Sequence, residues 1–149
     1  MKKLGIVTLM FIFVTALGMA QTWSTGAASQ STSNATSNYT INVSYKTGIG
    51  NYLVDANGMT LYYLDGESTS TIKCNGMCLS FWPAFNVKSI VVPSGLNSSN
   101  FQIFKRPDGS SQLSYEGKPL YYFIRDSYRG DVSGNNLKDP FGIWYAVTF

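Results

Sequence analysis

Residues 53–64 read LVDANGMTLYYL, and residues 112–123 read QLSYEGKPLYYF. The glycine and the Leu-Tyr-Tyr triplet stand in matching places, so the chain contains a duplicated segment. Each copy has a dipeptide that favours a tight turn, Asn57-Gly58 in the first and Glu116-Gly117 in the second, followed by a tyrosine-rich strand. Such dipeptides between strand signals are typical of two-residue hairpin turns. The sequence therefore predicts two related hairpin units.

Short strand signals continue on both sides of the duplicated segment. They lie at residues 41–45, 52–55, 59–64, 89–92, 101–105, 112–115, 119–124 and 143–149, and the best helical candidate is residues 78–82, stopped by Pro83. Fourteen glycines, ten tyrosines and nine phenylalanines in such short segments are typical of β proteins. We expect one all-β domain over residues 39–149, an antiparallel sandwich or barrel, with an internal repeat at about residues 53–85 and 112–147.

The amino terminus has the layout of an export signal. Two lysines precede an apolar run over residues 4–17, and small residues at 18–20 supply a cleavage point. The run is shorter than the ~20 residues of a membrane-spanning helix. We expect residues 1–20 to be a cleaved signal peptide, with an uncleaved membrane anchor as the alternative. The protein is therefore expected to be extracellular or at the cell surface.

Residues 21–38 consist almost entirely of Ser, Thr, Ala, Asn and Gln. A segment of that composition buries too little apolar surface to fold, so we expect a flexible polar linker. Four triplets fit the glycosylation acceptor pattern, at Asn34, Asn38, Asn42 and Asn97. They indicate either a glycan-coated stalk or chance triplets in a stretch rich in these residues.

The charge of the mature chain argues against nucleic acid as a partner. Without the two leader lysines, nine of the 11 basic side chains remain, against eight acidic ones. Phosphate backbones are bound by clustered Lys and Arg, whereas the lysines here are scattered singly. Arg125 and Arg129 lie nearest together, but Asp126 and Asp131 beside them favour local ion pairs.

Cys74 and Cys78 are the only cysteines in the chain. In an exported protein their expected state is a disulfide. The Asn75-Gly76 bend allows the Cα atoms to approach within the ~4.4–6.8 Å that a bridge requires. The alternative is a small redox or Cu(I)-handling site in which Met77 adds a thioether to the two thiolates. Zinc is disfavoured because no histidine is present to complete four ligands.

The absence of histidine also excludes Ser-His-Asp and Cys-His catalysis. Glycoside hydrolysis would need two carboxyl groups ~5–9.5 Å apart in a cleft. The acidic residues of this chain stand mostly in turns and at strand ends, where they cap backbone groups or stay solvated. We therefore expect that the protein is not an enzyme and uses no cofactor.

An oxygen-rich loop follows the second copy. Asp131, Ser133 and Asn135 alternate along the chain, and Asp139 follows them. The spacing is similar to that of a calcium loop, but an EF-hand needs glycine at the sixth position and glutamate at the twelfth, where this chain has Asn and Gly. The alternatives are a plain polar loop and a looser calcium site.

The second copy continues as Tyr121-Tyr122-Phe123-Ile124-Arg125-Asp126. This segment resembles the Y-x-(F/W/Y)-x-x-D signature of a family of secreted repeat proteins, many of them lipoproteins, whose function is unknown. The first copy is similar as well, because residues 73–78 and 81–83 resemble the family's C-x3-C segment followed by Trp-Pro. The similarity spans residues 53–147. It implies export and a β fold, and it carries over no catalytic residue.

The resemblance makes Tyr121, Phe123 and Asp126 the motif positions. The first copy departs from the motif, because Leu64 stands in the place of Phe123 and the acid is Glu67. We therefore predict that the role of Asp126 is not duplicated.

Neighbouring tyrosines in a strand point to opposite faces of the sheet. In each Tyr-Tyr pair we expect one ring in the core, with its hydroxyl hydrogen-bonded. An exposed aromatic strip for glycan or protein contact, formed by the other ring of each pair, is one alternative. Together these features predict a secreted or cell-surface β domain that acts as a structural or binding component of the envelope. Its expected partners are an envelope glycan or protein, or further copies of itself, with membrane contact only through an uncleaved leader.

Overall fold

The structure, a computed structural model, describes residues 38–149. The predicted signal peptide at residues 1–20, the linker as far as residue 37 and the acceptor Asn34 lie outside the described residues. The described strands are β1 Ile41–Lys46, β2 Gly50–Asp55, β3 Tyr62–Leu64, β4 Phe101–Lys105, β5 Ser111–Tyr115, β6 Lys118–Pro119, β7 Leu137–Asp139 and β8 Gly142–Ala146. One short helix, α1 Cys78–Phe81, and a 3-10 turn, Ser98–Asn100, complete the elements.

The strands form three small antiparallel sheets, in the orders β1-β2, β3-β8-β7 and β4-β5-β6. The predicted antiparallel all-β fold, built from two related hairpin units, is confirmed. Within residues 38–149 the sheets do not close into a barrel.

The two hairpin turns differ by one residue. In the second unit Tyr115 pairs with Lys118, and Glu116 and Gly117 form the predicted two-residue turn with φ of 48° and 75°. In the first unit the Asp55 N–H donates to the Met59 carbonyl, 2.9 Å away, so three residues form the turn. The prediction of a two-residue turn at Asn57-Gly58 is therefore wrong. The Asp55 carboxylate accounts for the longer turn, because its Oδ1 accepts from the N–H groups of Asn57 and Met59.

Because the turn of the first unit is one residue longer, residues before the turn match between the two units with an offset of one position from the sequence alignment. Leu61 N–H donates to the Leu53 carbonyl, and Leu120 N–H donates to the Leu113 carbonyl, at 3.0 and 2.9 Å. Leu53 therefore corresponds to Leu113, although the letters align it with residue 112. Both leucines are fully buried.

The two hairpin units are related by an approximate two-fold axis. Tyr62 and Tyr121 exchange backbone N–H···O hydrogen bonds of 2.9 Å in both directions, which places the axis between them. Around it, Leu53 N–H donates to Val147 and Leu113 N–H donates to Phe85, at 2.9 Å each. The pairing of β1 with β2 matches that of β4 with β5. We call residues 41–85 hairpin unit 1 and residues 101–147 hairpin unit 2.

The core lies where the two units meet. Trp82 of unit 1 and Trp144 of unit 2 stack with ring centroids 3.8 Å apart and planes 8° apart, and both are fully buried. Tyr62 meets Trp82 edge-on, and Tyr121 meets Trp144 in the same way, at 5.6 and 5.3 Å. Because each unit supplies half of this aromatic cluster, neither unit encloses a core of its own.

Several strand boundaries differ from the prediction. Residues 89–92 are not a strand. Ile90 and Val92 pack against a second cluster of buried side chains, whose members include Ile41, Leu53 and Leu113. The Val91 carbonyl accepts from Thr40 N–H. The strand expected at residues 59–64 shortens to β3. The strand expected at residues 119–124 is wrong beyond Pro119, the only residue it shares with β6, and β7 is a strand that the sequence does not predict. The short helix expected before Pro83 is confirmed as α1.

Candidate functional site: an aromatic groove beside the disulfide

Cys74 and Cys78 form a disulfide with their Cα atoms 5.2 Å apart. The predicted bridge is confirmed, and both cysteines are buried. The copper hypothesis loses its ligands, because the two sulfur atoms are bonded to each other and Met77 is 74% exposed on the loop between them. Across residues 38–149, no three His, Cys, Asp or Glu side chains lie close enough together to hold a metal ion.

The buried tyrosine of each hairpin unit forms a hydrogen bond with an acid of the other unit, and we call these two contacts the crossed bonds. The Tyr62 hydroxyl of unit 1 donates to Asp126 Oδ2 of unit 2 at 2.5 Å, and the Tyr121 hydroxyl of unit 2 donates to Glu67 Oε1 of unit 1 at 3.1 Å. Each acid stands five residues after the tyrosine of its own unit. The prediction that the role of Asp126 is not duplicated is therefore wrong. Glutamate can take the place of aspartate because the five-residue spacing brings either carboxylate to the other unit's tyrosine.

Each acid also fixes the loop that follows it. Glu67 Oε1 accepts from the N–H groups of Lys73 and Cys74 at 2.8 and 2.9 Å, and Asp126 Oδ1 accepts from Ser133 N–H at 3.0 Å. Burial raises the pKa of the Glu67 carboxyl above its usual range. Burial, followed by the neighbouring carboxylate, also raises the pKa of Tyr62 and of Tyr121. Both hydroxyls are therefore protonated donors.

A buried arginine completes the support of the disulfide loop. Arg106 is 3% exposed. It donates to the Cys74 carbonyl at 2.5 Å, to the Tyr121 hydroxyl at 3.2 Å and to Gln112 Oε1. Cys74 is thus held at its N–H by Glu67 and at its carbonyl by Arg106. Sequence reasoning missed Arg106 and Gln112, because a charged residue next to the Pro107-Asp108-Gly109 turn has the pattern of a solvated turn residue.

The residues of the expected calcium loop form hydrogen bonds with separate groups of the protein and do not converge on one point. Asp131 Oδ2 accepts from Ser127 and Tyr128 N–H, and Asn135 Oδ1 accepts from Ala146 N–H. Asp139 accepts from Trp82 Nε1, Phe141 N–H and Gly142 N–H, while the backbone of Ser133 binds Asp126. The arrangement is that of a polar loop fixed by its own side chains.

The remaining sequence candidates lie at or near the surface. The prediction of one core ring in each tyrosine pair is confirmed, since Tyr62 and Tyr121 are buried and hydrogen-bonded. Tyr63 and Tyr122 are half-buried and pack against the core, so they do not form an exposed aromatic strip. Among the acceptor asparagines, Asn38 and Asn97 are exposed and Asn42 is half-buried in β1. Asn97 Oδ1 accepts from Ser99 N–H at 3.0 Å. Glycosylation of these asparagines stays a prediction.

An open groove of about 490 Å³ runs beside the disulfide loop, and we call it the aromatic groove. Three parts of the chain build it: the disulfide loop (residues 74–78) with α1 and Trp82, the motif segment of unit 2 (residues 121–126), and β7 with the loop that joins it to β8. Its lining residues are Met77, Phe81, Trp82, Phe123, Arg125, Leu137, Asp139, Pro140 and Phe141. Phe123, the aromatic position of the motif, stacks on Trp82 with ring centroids 4.3 Å apart, and so forms part of the floor.

Two charged side chains line the aromatic groove, Asp139 and Arg125, and they differ in whether the fold compensates their charge. The Asp139 carboxylate accepts three N–H groups, so its charge is compensated within the fold. Arg125 is exposed, and within residues 38–149 its side chain forms no hydrogen bond or ion pair. The groove therefore combines apolar walls with one uncompensated cation.

A second groove of similar volume lies beside β1, with polar and apolar surface in nearly equal parts, and we call it the polar groove. It is lined by Asn42, Val43, Ser44, Val54, Asp55, Ala56, Gly58, Arg129 and Gly130. Its arginine, Arg129, donates to the Asn57 carbonyl at 3.1 Å and is thus already engaged. Among residues 38–149, no aromatic ring lines the polar groove, so the aromatic groove is the better candidate for an apolar ligand.

No helix within residues 38–149 has the length and apolar character needed to cross a membrane.

Comparisons with known proteins give one family and one local relative. A family model described as a secreted repeat of unknown function matches residues 102–148. tRNA pseudouridine synthase B of Wigglesworthia glossinidia brevipalpis is 32% identical over 60 residues, a stretch that covers 40% of this chain and 18% of that enzyme. No solved structure matches the chain significantly. The family resemblance found in the sequence is confirmed, because over residues 102–148, nearly all of hairpin unit 2, the chain matches a family of secreted repeats of unknown function.

Proposed function

We propose that this protein is a non-catalytic binding module of the cell envelope, and that its aromatic groove holds the hydrocarbon chain of a single-chain amphiphile. The observation that carries the proposal is the exposed aromatic lining of a concave site. Phe81 is 45% exposed and Met77 is 74% exposed, although both face a groove whose floor is apolar. Covering such a surface with a hydrocarbon chain releases water and stabilises the complex.

The groove favours a hydrocarbon chain over a glycan. A sugar needs several hydrogen-bonding groups beside an aromatic platform, because its hydroxyls must replace the bonds they make to water. The lining residues with charged side chains are Asp139, whose carboxylate is already occupied, and Arg125. One free polar side chain serves the end of an amphiphile better than the rim of a sugar ring.

The supporting network fits a binding role. The disulfide, Glu67 and Arg106 fix the loop that carries Met77 and leads into α1, which carries Phe81. A fixed wall keeps the groove open without a ligand, so that little ordering entropy is lost when a ligand enters. The secreted family of hairpin unit 2 supports a role outside the cell, and we propose the cell surface as its place.

Short-range quenching of tryptophan fluorescence by bromine tests the proposal. The buried Trp82 ring lies directly beneath the groove, with Phe123 stacked on it at 4.3 Å, so a neutral undecanol brominated at its terminal carbon should quench its emission in a saturable way. The Trp23→Phe background removes the emission of the tryptophan outside the described residues. Phe81→Ser should weaken binding about fivefold or more, because part of the apolar contact is lost.

Val91→Ser is the matched control, because Val91 is 40% exposed and lies away from the groove. It should leave the binding curve unchanged. If quenching is absent, or if Phe81→Ser and Val91→Ser have the same effect, the aromatic groove does not bind hydrocarbon and the proposal is wrong.

A further inference from the structure

We infer that the ligand of the aromatic groove ends in a carboxylate that pairs with Arg125, so that its class is that of a fatty acid. The inference rests on the proposed function, because it specifies the head group of the amphiphile whose chain the groove would hold. Its basis is that the Asp139 carboxylate in the groove lining is compensated by hydrogen bonds, whereas the Arg125 guanidinium is not.

The first step is the sign of the head group. Asp139 Oδ2 accepts from Trp82 Nε1 at 2.8 Å, and Asp139 Oδ1 accepts from the N–H groups of Phe141 and Gly142 at 2.8 and 3.1 Å. A cationic head group would have to compete with these three donors for the carboxylate. Arg125 offers its guanidinium without such competition. The site therefore favours an anion over a cation.

The second step is the magnitude of the charge. Leu137 and Asp139 of β7 both line the groove, and Lys138 stands between them. Because side chains alternate along a strand, Lys138 points to the opposite face. A single guanidinium matches a monoanion, whereas a phosphate monoester carries a charge of about −1.5 to −2 at neutral pH and is usually bound by several donors.

The third step is geometry. The guanidinium is planar and presents paired N–H groups that match the two oxygens of a carboxylate. Arg125 stands two residues after Phe123, whose ring forms part of the groove floor. A chain lying over the Phe123 and Phe81 rings can thus place its carboxylate at Arg125 without leaving the groove.

Four probes with an eleven-carbon chain, counting the carboxyl carbon of undecanoate, separate the head groups on the full-length protein: undecanoate, undecanol, undecyl phosphate and undecyl trimethylammonium, each below its micelle concentration. We expect undecanoate to bind about tenfold more tightly than undecanol in low salt, the effect of one charge-assisted hydrogen-bonded pair. Undecyl phosphate should bind more weakly than undecanoate, and the ammonium compound most weakly. Added salt should reduce the undecanoate preference.

Arg125→Gln should remove the preference for undecanoate over undecanol, measured as the ratio of the two affinities within the same variant. Arg129→Gln is the matched control, since Arg129 lies four residues further along and lines the polar groove instead; it should change neither affinity. Equal binding of undecanoate and undecanol by the unaltered protein, or an undecanoate preference that survives Arg125→Gln, overturns the inference and leaves the proposed function standing. Tighter binding of undecyl phosphate would replace the fatty acid with a phosphate ester. Failure of all four probes would overturn the proposed function itself.

Discussion

The hydrogen bond between Tyr62 and Asp126 predicts that removal of a single hydroxyl group lowers the stability of the fold substantially. Tyr62→Phe removes one hydroxyl that donates to Asp126 Oδ2 at 2.5 Å and accepts from Gly134 N–H at 3.3 Å. Asp126 is 9% exposed, so water replaces the lost donor poorly. A hydrogen bond to a buried charged group contributes ~1.5–3 kcal/mol. We expect Tyr62→Phe to lower the free energy of unfolding by about 2–3 kcal/mol, measured by urea denaturation.

The neighbouring tyrosine supplies the control. Tyr63 is half-buried, and its hydroxyl forms no hydrogen bond within residues 38–149. Tyr63→Phe should therefore cost less than about 0.5 kcal/mol. A double-mutant cycle of Tyr62→Phe with Asp126→Asn should give a coupling energy of about 1–2 kcal/mol. Equal losses for the two Tyr→Phe variants, or no coupling, would refute the crossed exchange.

Three further predictions follow from the same network. Because burial raises the pKa of Glu67 above its ordinary 4.5, its stabilising contribution is fully present below about pH 4.5 and is lost as pH rises through the folded-state pKa. Urea midpoints of the unaltered protein should fall over that window, whereas Glu67→Gln should flatten this part of the profile. Replacing Cys74 and Cys78 together with serine should cost about 2 kcal/mol, since so short a loop constrains the unfolded chain little, and a thermal melt showing no loss would contradict this. Gly134→Ala should destabilise the fold by ~1–3 kcal/mol, because the new Cβ would lie 2.7 Å from a ring carbon of Trp82, and an unchanged urea midpoint would show that the ring can yield.

Local signals in the sequence predicted much of the fold. The Glu116-Gly117 turn, the strands expected at residues 41–45, 52–55 and 101–105, which the structure shows as β1, β2 and β4, and the disulfide all depend on residues close together in the chain. The Asn57-Gly58 turn was misjudged because the Asp55 side chain, two residues earlier, stabilises a longer loop. Residues 90–92 have the apolar pattern of a strand, because burial against the core and pairing in a ladder favour the same side chains.

The candidate site was less predictable, because its contacts join residues far apart in the chain. Glu67 and Asp126 were visible as acids, but their tyrosine partners lie 54 and 64 positions away. Phe123, Met77 and Asp139 were singled out for other reasons, as a motif position and as metal ligands. Only the fold brings them to one groove. The internal repeat in the sequence indicates two related units. It does not indicate that the tyrosine of each unit forms a hydrogen bond with the acid of the other.

The binding site itself can be mapped directly by nuclear magnetic resonance. Titration of undecanoate into uniformly 15N-labelled protein should shift the amide signals of Phe81, Phe123 and Phe141 together, with a single saturation curve, because all three line the aromatic groove. The amide signals of Asn42 and Arg129, which line the polar groove, should stay in place. Shifts confined to the polar groove, or spread over the surface without saturation, would contradict the account of this protein as a binding module with an aromatic groove.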